Sequence, residues 1–242
     1  MTVRFDHIAI AVPRLTEVTP FLVGALGGEA VFGSVSRFYN FGQWRFAGGG
    51  RLEVLEPRGV PDGFLYRFLA QHGPGVHHVT FRVPDIHEAC ARAERHGYKI
   101  VGFDDSHPSW KEAFLHPKQA LGIVVQMAQM SRRAEGEPVH RWVPPPAPPN
   151  PPAPVTVLGL RLRAHSVERA ELQWSAILGG AMSRGERGEL IYGWERSPLG
   201  LTIEIAPTAD EGPVAIELTS DRAVELPSGG HPVLGATFVR RD

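Results

Sequence analysis

Two histidines lead two copies of one strand-like phrase. Asp6-His7-Ile8-Ala9-Ile10-Ala11-Val12 opens the chain, and His77-His78-Val79-Thr80-Phe81-Arg82-Val83 repeats the pattern further on. Each copy continues into an amphipathic segment stopped by glycine and ends in a strand with one polar residue of interest. These residues are Glu53 in Leu52-Glu53-Val54-Leu55 and Gln126 in Ile123-Val124-Val125-Gln126-Met127. Two imidazoles, a carboxylate and a carboxamide make a ligand set for one divalent ion, with zinc, cobalt, nickel, manganese and iron all compatible. A single carboxylate leaves such an ion with net positive charge, which suits stabilisation of charge on a substrate oxygen. Glu53 is the base of the set, because an amide takes up no proton at neutral pH.

Alternation along the strands assigns the faces. If Ile8, Ile10 and Val12 pack into a core, His7 points the other way. The same test sends His78 away from Val79 and Phe81, Glu53 away from Leu52 and Val54, and Gln126 away from Val125 and Met127. The four polar residues are therefore expected on one shared face. His77 falls on the opposite face and reads as structural. Arg45 and Arg82 are candidates to meet an anionic substrate.

The elements that position these residues follow from periodicity. Val18, Phe21, Leu22, Ala25 and Leu26 have helical spacing, with Thr16 as a candidate cap and Gly27 or Gly28 as the stop. Strands are expected near 38–41, 44–47 and 51–55, and a short helix near 64–71. In the second copy Asp85 and Glu88 start a helix with the stripe Ile86, Ala89, Cys90 and Ala93, ended by Gly97. Strands follow near 98–103, 112–115 and 122–127. An internal repeat of this kind governs the whole architecture.

The prolines from Pro144 to Pro154 mark an extended spacer, so a linker is expected over 131–154. Beyond it the pattern returns in worn form. Leu158, Leu160 and Leu162 alternate, Ser166 caps a helix ending at Gly179-Gly180, and Leu201-Thr202-Ile203-Glu204-Ile205 echoes the strand of Glu53. Residues 155–242 read as a shortened copy of 1–130 that lacks the ligands, with Gly159 expected opposite His7, Ala215 opposite His78 and Val239 opposite Gln126. Glu204 alone survives and is expected to pair with Arg161 or Arg163. That half is expected to serve as structure, a lid or a dimerisation surface, so a homodimer is one expected assembly.

Bulk properties set the remaining bounds. The 242 residues carry a formal charge of -1, which argues against nucleic acid or an anionic membrane held by bulk electrostatics. No apolar run reaches the roughly 18 residues that a membrane-spanning helix needs. One cysteine, Cys90, excludes an intrachain disulfide. The N-terminus lacks a signal-peptide core, and a cytoplasmic location is expected. The expected partner is a small-molecule substrate.

The phrases Asp6 to Val12, Gly75 to Val83 and His116-Pro117-Lys118 resemble the vicinal oxygen chelate superfamily, and within it glyoxalase I and methylmalonyl-CoA epimerase. The resemblance covers 1–130 well and the remainder in outline. It implies an α+β fold of paired βαβββ modules, forming curved mixed sheets with helices on the outer face. It also places His7, Glu53, His78 and Gln126 on the metal-ligand positions. Family members commonly carry glutamate at the position of Gln126, and a second epimerase glutamate falls near Gln43, which stands here as a substrate-binding candidate. The function implied is a divalent-metal-dependent isomerase or lyase that moves a proton beside a carbonyl or enediolate oxygen, with Glu53 as catalytic group. The alternative is a non-catalytic, drug-sequestering member of the same fold.

Overall fold

A computed structural model describes residues 2–131 and 142–241. The expected linker falls partly outside the described residues, at 132–141. The first sheet has eight strands: β1 (Arg4–Ala11), β2 (Glu29–Val35), β3 (Tyr39–Arg45), β4 (Arg51–Pro57), β5 (Gly75–Arg82), β6 (Ile100–His107), β7 (Trp110–Leu115) and β8 (Val124–Met130). Their order is β2-β3-β4-β1-β5-β8-β7-β6. Strand β1 runs parallel to β4, and β5 parallel to β8, while hairpins add the outer strands antiparallel. The sheet is thus two related four-strand modules, as the repeated phrase implies. Its α+β architecture, with curled mixed sheets and few helices, is the expected class.

A second sheet holds β9 (Thr156–Ala164), β10 (Ala181–Arg184), β11 (Leu190–Gly193), β12 (Gly200–Ile205), β13 (Gly212–Thr219) and β14 (Phe238–Arg240), in the order β10-β11-β12-β9-β13-β14. Three α-helices accompany the sheets: α1 (Phe64–His72), α2 (Ile86–Arg95) and α3 (Val167–Glu171). The α2 stripe is the one read from the sequence, with Ile86, Ala89, Cys90 and Ala93 buried. Its start is fixed by Asp85, whose carboxylate accepts the Glu88 backbone N–H at 2.9 Å.

Two local readings need correction. The strands expected at 38–41 and 44–47 are one strand, β3, and its hairpin partner β2 precedes it. The segment Glu29-Ala30-Val31-Phe32-Gly33-Ser34-Val35 lacks a clean apolar alternation, and a shift of register between Ala30 and Phe32 breaks its period. The expected helix over 18–26 is a 3₁₀ turn at Leu15–Glu17 followed by a π-helix at Pro20–Ala25, and no side chain caps either start. Thr19 instead donates its hydroxyl to the Pro146 carbonyl at 2.6 Å.

Tertiary contacts group the chain into two compact units, each drawing on residues from before and after the proline-rich segment. One includes residues up to Asp6, 78–131 and 159–214; the division falls inside β1 and β5. Its core stacks Phe5 on Phe81 at 4.8 Å, with Trp194 at 4.8 Å and Trp174 at 6.0 Å from the Phe81 ring. The other includes 7–77, 142–158 and 215–241. There Phe21 meets Phe238 edge-on at 5.0 Å, and Arg222 donates to the carbonyls of Ala25 and Ala153. Trp142 covers Gly33 and Gly42, where a Cβ would run into its indole ring.

Candidate metal centre

Strand register decides which polar side chains share the open face of the first sheet. Ala9 on β1 pairs with Glu53 on β4, so Glu53 stands on the face of His7, two residues away along β1. Gln43 on β3 pairs with Glu53 from the other side. On β5 and β8, Thr80 pairs with Gln126, which puts Gln126 on the face of His78. The alternation inferred from sequence is therefore reproduced by the pairing. His7, Gln43, Glu53, His78, Thr80 and Gln126 are all buried, a concentration of polar atoms that demands partners.

The donors come together closely. His7 Nε2 lies 3.5 Å from Glu53 Oε2, and Gln43 Nε2 donates to the same oxygen at 2.8 Å. His7, Glu53 and His78 each offer one ligand atom, all within 4.8 Å of one another. Two donors at ~2.1 Å from one zinc-like ion lie no more than ~4.2 Å apart, so small side-chain movements bring this group into range. The residues fit a divalent ion in number, type and spacing. Among the described residues this is the group of three or more metal-ligating side chains so arranged.

Gln126 is engaged differently. Its Oε1 accepts the Thr80 hydroxyl at 2.6 Å, and its Nε2 donates to Glu112 Oε2 at 2.8 Å. Trp110 Nε1 donates to that same Glu112 oxygen at 2.8 Å. Glu112, half-buried on β7, is a carboxylate that sequence reading missed. It opens an expected strand, and nothing in its own neighbourhood shows that a cross-strand amide will reach it.

The two candidate arginines are held by protein groups. Arg45 pairs with Glu29 at 2.6 Å on the exposed surface. Arg82 places Nε 3.3 Å from Asp6, and its guanidinium lies over the Trp110 ring at 4.6 Å. His77 packs against Phe64 and Phe68 at 5.6 and 4.8 Å. Burial lowers its pKa to about 4, while the negative charge of Glu53 acts in the opposite direction.

In the second sheet β9 and β12 pair in parallel, as β1 and β4 do in the first. Glu204 pairs in register with Arg163, and Arg161 stands two residues back on the same face of β9. Arg161 Nη1 meets Glu204 Oε1 at 3.0 Å, so this carboxylate is held by an ion pair. Val239 pairs with Glu217, two residues past Ala215.

Comparison with known proteins agrees with this architecture. Residues 6–114 match the family model for the glyoxalase/bleomycin resistance protein/dioxygenase superfamily. The chain is 30% identical over 140 residues to mitochondrial methylmalonyl-CoA epimerase of Mus musculus, covering 52% of this chain and 72% of that one. It is 29% identical over 137 residues to the ethylmalonyl-CoA/methylmalonyl-CoA epimerase of Cereibacter sphaeroides, covering 52% of this chain and 98% of the other. Among solved structures, a hypothetical protein from Bacillus halodurans C-125 superposes with a TM-score of 0.50 at 25% identity, over 56% of this chain and all of that one. With its paired modules and this relationship to the epimerases, the chain belongs to the glyoxalase/bleomycin resistance protein/dioxygenase superfamily.

Proposed function

We propose that this protein is a metal-dependent isomerase of the epimerase type, which removes and returns a proton at a carbon next to a carbonyl. The observation that carries this reading is the buried group of His7, Glu53 and His78, with ligand atoms within 4.8 Å of one another. These three residues would hold one divalent ion, and Gln126 or water would complete its shell. When bound, such an ion supplies positive charge that lowers the cost of an enolate-like oxygen. Glu53 is the proton carrier of the set. Gln43 orients its carboxylate by donating to Oε2, and Thr80 and Glu112 fix the amide of Gln126 from both ends. The epimerase relatives give the substrate class to try first, an acyl-CoA with an acidic carbon between two carbonyl groups. A glyoxalase-type lyase reaction uses the same proton transfer.

The competing reading is a binding protein that holds a small molecule without turning it over. It is favoured by the amides at positions 43 and 126, which leave one carboxylate among the expected ligand and substrate-contact positions. Residues 155–242 complete the proposal as a shortened copy without metal ligands. Supporting this, the order β10-β11-β12-β9-β13-β14 follows that of β2-β3-β4-β1-β5-β8, with no counterparts of β7 and β6 among the described residues. The test is solvent exchange: methylmalonyl-CoA incubated with the protein in D₂O should lose its acidic hydrogen with enzyme-dependent kinetics. Ligand binding without exchange of this or glyoxalase-type substrates would favour the sequestering reading.

A further inference from the structure

The register of β2, β3 and β4 places an aromatic surface beside Glu53. Phe32 pairs with Gln43, and Gln43 pairs with Glu53, so these three side chains form one row across the sheet. At ~4.8 Å per strand, Phe32 stands roughly 10 Å from Glu53. One pleat further along, Phe41 pairs with Leu55, and its ring lies 5.6 Å from Phe32 and 6.1 Å from Tyr39. Tyr39 and Phe41 pack on a floor that includes Ala9, Ala11 and Leu55. Phe32 remains 52% exposed.

What distinguishes Phe32 is its place in the row of Gln43 and Glu53, and the opposite face of the same hairpin is covered. There Trp142 covers Gly33 and Gly42. Among the described residues Phe32 is left half-exposed, one strand beyond Gln43 and two from the proposed proton carrier, with the partly buried Phe41 and Tyr39 beside it. Apolar surface next to polar groups marks a place for a ligand. Charge narrows the ligand further. Arg45 and Arg51, paired in register, stand one pleat away on the other side of Gln43 and Glu53, and Arg45 is paired with Glu29. Polarity therefore runs along β3 and β4 from arginine, through the carboxylate, to aromatic rings.

Resting on the epimerase-type reading for the position of the acidic carbon, we infer that the substrate carries a ring-sized apolar substituent, seated on Phe32 and Phe41. The acid to which it is attached lies toward Glu53. Phenylmalonate and methylmalonate test this directly, because they share two carboxylates and differ in the substituent. Calorimetry on the protein as purified should show phenylmalonate binding about tenfold or more tighter, the scale expected for filling an apolar subsite. Phe32→Ala, a change at an exposed side chain, should bring the two affinities to within about threefold while leaving methylmalonate binding unchanged.

Equal affinities in the unaltered protein, no binding of either acid, or a preference that survives Phe32→Ala would each overturn the inference. Sedimentation of the same variant separates the other occupant of such a face. A dimer that dissociates in Phe32→Ala with no change in ligand preference would make the surface a subunit contact and overturn the inference too. The epimerase reading fails separately, on solvent exchange. Aryl preference without exchange removes that reading and leaves the aryl subsite standing, and exchange without aryl preference does the reverse.

Discussion

Glu53 carries two duties in this account, as ligand and as proton carrier, and one substitution separates them from folding. Glu53→Gln keeps the shape and an oxygen for Gln43 to donate to, but removes the capacity to take a proton. The expected loss of exchange is roughly 10²–10⁴-fold, with the unfolding midpoint of the metal-free protein little changed. Full activity in this variant would exclude Glu53 as the base. Position 126 is subtler. Restoring the family's glutamate there looks like a gain of base from sequence alone, yet the Gln126 amide donates to Glu112 at 2.8 Å. Gln126→Glu replaces that hydrogen bond with two carboxylates in contact, at a cost of about 1–3 kcal/mol. Urea unfolding should show this loss, and Glu112→Gln in the same chain should recover most of it. A single variant as stable as the parent would show that the contact carries no weight. The polar residues on the shared face were legible because alternation reports faces. Glu112 was not, because its role depends on which residue lies diagonally across a strand pair.

At the scale of elements, the sequence spoke clearly where period and cap agreed. Asp85 and the stripe of α2 are one case, and the phrases of β1 and β5 are another. It was silent about β2, whose bulge interrupts the period, and about the π-helix at Pro20–Ala25, whose backbone bonding follows from packing rather than propensity. The loop leading to β14 gives a pH test of similar locality. His231 Nδ1 accepts the backbone N–H groups of Val233 and Leu234 at 3.2 and 3.3 Å, and its ring packs on Phe21 at 4.2 Å. Burial lowers its pKa below the ordinary value of 6.5. The unfolded chain therefore binds the proton more readily, so this contribution is present above pH 6.5 and is lost as pH falls toward the folded-state pKa. His231→Asn retains an acceptor and does not titrate, so its unfolding midpoint should fall less than the parent's between neutral pH and pH ~5. Equal slopes would contradict the assignment.

For the whole molecule, the two sheets carry different side chains at parallel strand pairs of the same kind, β1 with β4 and β9 with β12. The first holds His7, Glu53 and His78, while the second has Arg161 paired with Glu204. No helix among the described residues is long and apolar enough to cross a membrane. Strand order was legible only as a repeat, since which strand lies beside which is set by packing that no local pattern records. The strand of Leu158, Leu160 and Leu162 was legible from its alternation, but the parallel partner of β9 needed the actual pairing. Removing a structural or catalytic ion should also lower global stability, since binding to the folded form alone shifts the unfolding equilibrium. A chelator should therefore reduce the melting temperature of the parent and leave His78→Ala unaffected.

Metal content measured on protein purified without chelator, for the parent and for His7→Ala and His78→Ala, tests the central claim most directly. The account predicts close to one divalent ion per chain in the parent, not two, and loss of that ion in both variants. A parent without stoichiometric metal, or variants that retain it, would contradict the metal centre and the proton-transfer function built on it.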